Sequence, residues 1–269
     1  MSSFHDRFLT LLLWGFLTLL VAFGASSRLM DISSTPDFTK MKSIQAKKDA
    51  FFTYLLPKVL LVNSEILRER QSLPCLTAEE IASSFDSVHL RQLAIKYRVP
   101  DRDALSDSEL CEALIARISV IPVALVLAQA ANESAWGTSR FARQQNNYFG
   151  LWCFTAECGV RPEAADSNTR HRVAAFDEVI DGLRYYALTL NSHPAYVRFR
   201  SLRRALEVEG KPIRASMLLS GLDRYSERGE AYLEELRQMI RVNRLNSEQR
   251  IHELLALATR QHCGAAAQS

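Results

Sequence analysis

The hydrophobic pattern opens with an uncharged apolar run, Phe8 to Phe23. As a helix it would reach roughly 24 Å at ~1.5 Å per residue, short of the ~30 Å hydrocarbon core of a bilayer. Small residues follow, Ala22-Phe23-Gly24-Ala25, and fit a small-x-small cleavage pattern with the cut after Gly24. Residues 1–24 are therefore expected to be a secretory signal, with an uncleaved membrane anchor as the alternative. Either one exports the rest of the chain. No later stretch approaches 18 uninterrupted apolar residues, so no second span is expected.

Residues 25–45 are mostly polar and are expected to be a linker. From Ala46 to Arg70 apolar residues recur at helical spacing, at Phe51, Tyr54, Leu55, Val59, Val62 and Ile66. Pro57 is expected to break that helix. Thr77-Ala78-Glu79-Glu80 and Ser106-Asp107-Ser108-Glu109 both read as capping boxes opening helices. The first leads into Leu90, Leu93, Ala94 and Tyr97, the second into Leu110, Leu114 and Ile118. This helical N-terminal region, 46–118, shows no cluster of chemistry-bearing residues, and its expected role is packing or partner contact. A main domain follows over 119–245, then a C-terminal helix and tail over 246–269. Within the main domain Pro122 is well placed in a first helical turn and Gly137 is a plausible stop. After a polar loop comes a β-compatible stretch at Arg172–Phe176. Helices are expected over 178–190, 197–207, 214–219, 229–243 and 247–261. The fold class is mainly α, with a small β-hairpin and neither internal repeat nor βαβ alternation.

Composition adds a few exclusions. Of 269 residues 48% are hydrophobic and 23% charged, which rules out wholly disordered and low-complexity readings. Lys+Arg 33 against Asp+Glu 30 leaves +3. So small an excess gives no reason to propose nucleic acid as a partner and suits a neutral ligand better. In an exported chain disulfides persist. Cys153 and Cys158 are close enough to clip a short loop, Cys75 and Cys111 flank a helical region and could pair, and Cys263 is left over in the tail. Sequence alone does not fix that connectivity. No metal or cofactor is expected: Cys-x4-Cys has no companion pair at finger spacing, and the six histidines show no i, i+4 pair. Arg198, Arg200, Arg203 and Arg204 read as a solvated face, or as a contact for anionic wall polymer or lipid.

The chemistry concentrates at Glu133. Val126, Ala130, Glu133 and Gly137 share one helical face, with Gln129 on the same side. That face is otherwise apolar. Desolvation and the negative helix end would both raise the Glu133 pKa, which is what a general acid requires.

Three motifs carry a resemblance. Ala128-Gln129-Ala130-Ala131-Asn132-Glu133-Ser134-Ala135-Trp136-Gly137 looks like the A-Q-x-x-x-E-S-x-W-G motif of glucosaminidase-domain peptidoglycan hydrolases, glycoside hydrolase family seventy-three. Asn147-Tyr148-Phe149-Gly150 is similar to that family's N-x-F-G loop, and Tyr225 to Tyr232 occupies the place of its Y-x-T-D-x-x-Y segment. Stretches such as SRFARQQNNYFGLWCF most resemble the bacterial Bax-like subgroup. Three motifs in order make a specific signal over about Arg117 to Asn243.

The resemblance implies a lysozyme-like α+β fold, hydrolysis of β-1,4 bonds at N-acetylglucosamine in peptidoglycan glycan strands, and Glu133 as general acid. Tyr225 and Tyr232 match aromatic positions near the donor sugar, with capping or core packing as their other reading. Phe149 and Trp152 are cleft walls or core residues. Asn147 shapes the loop or contacts sugar. The implied partner is peptidoglycan, the implied place the periplasm or cell envelope, and membrane contact arises only through an uncleaved N-terminal segment. The sequence departs from the family at the second carboxylate, since Arg172 stands where many members carry a hairpin Glu. Substrate assistance by the N-acetyl group, a carboxylate delivered by a mobile loop, or weakened activity are the options. The rival functions are a lytic transglycosylase using the same Glu, and a non-catalytic wall-binding or scaffold protein.

Overall fold

A computed structural model of the chain describes residues 35–73, 75, 87–155, 158–161 and 172–266. The expected signal at 1–24, the Thr77 capping box and the acidic residues Glu157 and Glu163 lie outside these. Pro36–Leu255 form one compact unit. A second unit holds both chain ends, of which the structure describes Thr35 and the end of the last helix, from Ala256.

The larger unit is mainly α. After a turn of 3-10 helix at Phe38–Lys40 come α1 (Ile44–Gln71), α2 (Ser87–Lys96), α3 (Asp107–Ile115), α4 (Val123–Glu133) and α5 (Arg140–Gln145). A three-stranded antiparallel sheet of short strands follows, β1 (Trp152–Cys153), β2 (Gly159–Val160) and β3 (Arg172–Ala174), in the order β1-β3-β2. Trp152 pairs with Val173, and Gly159 with Ala174. Then come α6 (Val179–Ser192), α7 (Val197–Val208), α8 (Ala215–Leu218), α9 (Glu230–Val242) and α10 (Glu248–Ala266).

The core is built around α1 and α4. Residues Ala124 to Ala131 of α4 are all buried, so this helix is apolar nearly all round, as a central helix must be. It packs against α1 and α9, and α1 packs also on α6. Phe51 and Phe52 of α1 meet Trp136 edge-on at 5.6 and 5.3 Å between ring centroids. Asn63, buried in α1, exchanges two hydrogen bonds with the Ile121 backbone just before α4, at 2.9 and 3.1 Å. These bonds satisfy peptide groups that a loop entering the core would otherwise leave unpaired.

Four expectations need correction. Pro57 does not break α1, which continues through it. Proline costs a helix interior about 3 kcal/mol, and burial of the flanking Phe51, Leu55, Val59 and Val62 outweighs that. The expected linker is not loose over 36–45, because Phe38 is buried at 1% exposure. The expected boundary at 118 separates no two bodies, since α1 to α9 lie in one unit. The arginine run is not a solvated face either: Arg200 and Arg203 are buried, and only Arg198 and Arg204 are exposed.

Among the described residues two disulfides are present, Cys75–Cys111 and Cys153–Cys158. The first spans 36 residues. By loop-closure entropy it stabilises the fold by about 4 kcal/mol. The Cys75→Ser, Cys111→Ser double variant is expected to lose that amount, read as a lower midpoint in urea unfolding.

Candidate active site

Glu133 is the last residue of α4. The chain then takes three successive positive φ values, Ala135 at 49°, Trp136 at 60° and Gly137 at 76°. Only glycine accepts that conformation without strain. A Cβ on Gly137 would also lie 2.4 Å from the Phe38 ring. Gly137→Ala is therefore expected to cost about 3 kcal/mol, from backbone strain plus overpacking, measurable by denaturant titration. Ser134 secures the turn from inside, its hydroxyl donating to Ala130 O at 2.6 Å and accepting the Gly137 N–H at 2.8 Å. Glu133 is thus held at the end of a rigid, buried helix by an equally rigid turn.

Around the carboxyl the surroundings are poor in donors. Oε1 is buried and has no hydrogen-bond partner. Burial raises the Glu133 pKa. The Tyr232 hydroxyl and the Arg228 charge work against that rise, and Glu235 adds to it. Desolvation is the largest of these effects. Gly150, with φ at 61°, leaves room beside the other oxygen: a Cβ there would sit 3.4 Å from Oε2.

Beneath the carboxyl lies a polar lock that sequence reading missed. Gln129, fully buried, donates to the Tyr232 hydroxyl at 2.9 Å and accepts from the Tyr186 hydroxyl at 2.6 Å. Phe149 stacks on Tyr186 with centroids 4.1 Å apart, and Tyr225 lies parallel to Tyr232 at 5.7 Å. The Tyr225 hydroxyl donates to Phe149 O at 2.8 Å. Rings and hydroxyls therefore tie α4, α6, α9 and the 147–150 loop into one block. Burial raises the Tyr186, Tyr225 and Tyr232 pKa values, so all three stay protonated donors.

Of the residues singled out from sequence, Asn147 turns out to be an organiser of the loop. It is buried, its amide donates to Leu151 O and Ala174 O, both at 2.9 Å, and its carbonyl accepts the Phe149 and Leu151 N–H groups. With those bonds made, no capacity remains for sugar. The left-handed turn belongs to Asn146, φ 51°. Phe149 is a core ring at 1% exposure, with Tyr232 buried likewise. Trp152 is different: it is 44% exposed on β1 and lines the cleft.

That cleft has a volume of about 790 Å³ and brings together Glu133, Gly150, Trp152, Tyr196 and Tyr225. Sequence reading missed Phe154, 74% exposed on the cleft lip, along with Arg98 and Arg224. His193, read from sequence as an ordinary satisfied or surface histidine, also lines it. Its place two residues after Trp152, with the buried Cys153 between them, is the signal that could have marked Phe154. Glu227 is the second carboxylate lining the cleft among the described residues. Arg172, at the expected carboxylate position, instead donates Nε–H to Gly159 O at 2.9 Å and so ties β3 to β2. No group of three or more His, Cys, Asp or Glu side chains converges among the described residues. The arrangement offers a buried acid whose pKa is raised by desolvation, a wall of aromatic rings and room for a few sugar units.

A family model described as mannosyl-glycoprotein endo-beta-N-acetylglucosaminidase, Glucosaminidase in short, matches residues 109–245. Protein bax of Escherichia coli (strain K12) is 30% identical over 200 residues, covering 74% of this chain and 71% of that protein. No solved structure matches.

Proposed function

Because the chain belongs to the glucosaminidase family, we propose that it is an exported glycosidase hydrolysing β-1,4 bonds at N-acetylglucosamine in peptidoglycan glycan strands, with Glu133 as the general acid. The observation that carries this reading is a buried carboxyl with an unpartnered oxygen beside a sugar-sized cleft. Such a group keeps its proton where an exposed glutamate would have lost it.

In the reaction the Glu133 proton passes to the glycosidic oxygen as the bond from that oxygen to the anomeric carbon breaks. Positive charge develops on the sugar ring. Water adds at the anomeric carbon, and its proton restores the acid. Trp152 and Phe154 supply stacking faces for sugar rings at the cleft lip. Tyr225 and Tyr232 act from beneath, by fixing where Glu133 and the loop stand. Residues 1–24 serve as the export signal or membrane anchor, and 119–245 form the catalytic portion.

The position of Arg172 favours one second reading. Without a hairpin carboxylate to activate water, the same acid also suits a lytic transglycosylase, in which the sugar's own hydroxyl closes on the anomeric carbon. Mass spectrometry of strand ends from a digest separates the two. Reducing N-acetylglucosamine ends are expected, anhydro-muramic ends would favour the second reading, and intact strands would sink both.

A further inference from the structure

Two guanidinium groups line the cleft with no bonded partner among the described residues. Arg98 follows α2, and Arg224 precedes Tyr225; both are exposed, and neither has a side-chain hydrogen bond or ion pair among the described residues. The arginines around them are engaged. Arg228 pairs with Glu235, and Arg200 donates to the carbonyls of Leu190 and His193. Arg98 is also strained. Its φ is 51°, its N–H donates to Ile95 O at 3.1 Å, and the Val99 N–H closes on Ala94 O at 2.9 Å. This is a helix C-terminal turn at the position where glycine or asparagine ordinarily stands. Arginine there costs about 1 kcal/mol or more that glycine would not. A strained, unpaired cation inside a cleft calls for a reason outside the fold.

The cleft's ionisable carboxylates are Glu133, whose charged form burial disfavours, and Glu227, which has no partner among the described residues. His193 lines the same cleft and is kept neutral more readily than an ordinary histidine, by burial and by the nearby charges of Arg98 and Arg200. Away from the buried Glu133 the lip thus carries two cations against one carboxylate, although the whole chain carries only +3.

From this we infer that Arg98 and Arg224 bind carboxylates borne by the glycan, and so set a preference for anionic strands over neutral ones. The inference rests on the glycosidase reading above and narrows its substrate. Peptidoglycan carries such groups in two forms, the carboxylates of the peptide stem and, on muramic units whose stem has been removed, the lactyl carboxylate that the stem amide had masked. Chitin-like strands carry none. Arg98 lies outside the family match at 109–245, so the helical lead-in contributes to recognition as well as to packing.

The test measures binding by the full chain carrying Glu133→Gln, so that ligand is not consumed. Three probes of matched length are compared: strands with peptide stems, strands stripped of stems by an amidase, and neutral N-acetylchitooligosaccharides. The expected order puts one or both anionic probes ahead of the neutral one, with the gap shrinking as salt rises. Replacing both arginines by alanine is expected to narrow that gap roughly tenfold, two exposed ion pairs each contributing up to about fivefold. Lysine at both positions retains part of it. Arg98→Gly removes charge and backbone strain together, so a loss of preference there cannot come from misfolding. Preference for stripped strands assigns the lactyl carboxylate, and preference confined to stemmed strands assigns the stem. Equal affinity for all three probes, or an equal loss on all three in the arginine variants, overturns the inference. Unchanged cleavage by Glu133→Gln would overturn the catalytic reading while leaving the order of binding to be read on its own.

Discussion

Glu133→Gln is expected to lower glycan cleavage by about a thousandfold, within the range that a positioned general acid contributes, while the chain stays folded. Gln is isosteric and keeps the contacts of the α4 end, but it has no proton to give. The wild-type rate is expected to fall on the alkaline side as Glu133 ionises, and burial places that fall above the ordinary carboxylate range. Arg228→Ala should push it higher still. That change removes a cation favouring the carboxylate and frees Glu235, which disfavours it. Stability carries the opposite sign. A carboxyl whose pKa is raised on folding contributes stability fully below its unfolded pKa, and that contribution is lost as pH rises through the folded value. At neutral pH the Gln variant should therefore melt no lower than wild type, and the difference should close near pH 4. A Gln variant with wild-type cleavage, or one that loses activity by unfolding, would count against the assignment. Activity and melting curves across pH decide it.

The largest stability loss from a single substitution is expected at Arg203. Its guanidinium is 1% exposed and donates to Arg117 O at 2.9 Å, Ser119 O at 3.2 Å and Asn191 Oδ1 at 2.7 Å. It closes the α3 C-terminal turn, where carbonyls lack helical partners and the dipole favours a cation. Arg70 reinforces the same turn through the carbonyls of Ile115 and Ile118 and binds Glu207, the counterion of the cluster. Arg203→Met keeps the bulk and strands several buried acceptors. A loss of about 4 kcal/mol is expected, or roughly 10 °C in melting temperature for a unit of this size. Arg203→Lys should recover part of it. A Met variant as stable as wild type would show that water satisfies these carbonyls instead.

Much of the architecture was legible because it is local. The capping box at Ser106 and Glu109 forms as read, the α4, α6, α7 and α9 spans follow from apolar spacing, and β3 falls inside the Arg172–Phe176 stretch. What escaped was decided between distant segments. Pro57 signals a break to any local rule, yet α1 lies in the core on both sides of it. Arg200 and Arg203 look like surface charge until α7 is seen to meet the carbonyls ending α3 and α6. The helical face holding Glu133 was readable from residue spacing. The Gln129, Tyr186 and Tyr232 lock was not, because its members lie up to 103 residues apart. Asn147 and Phe149 stand out in the sequence, and their side chains turn inward to build the loop.

The dependence of α4 on α1 bears on modularity. The family model's match begins at residue 109, yet the aromatic bed under Trp136 and Tyr148 is Phe51 and Phe52, and the peptide entering α4 is bonded to Asn63. Excised at the similarity boundary, the segment would present the buried side of its central helix to water. The stretch matched by the family model is thus smaller than the unit it packs into, and any transplant of this glycan cleft into another protein has to begin upstream, at Phe38.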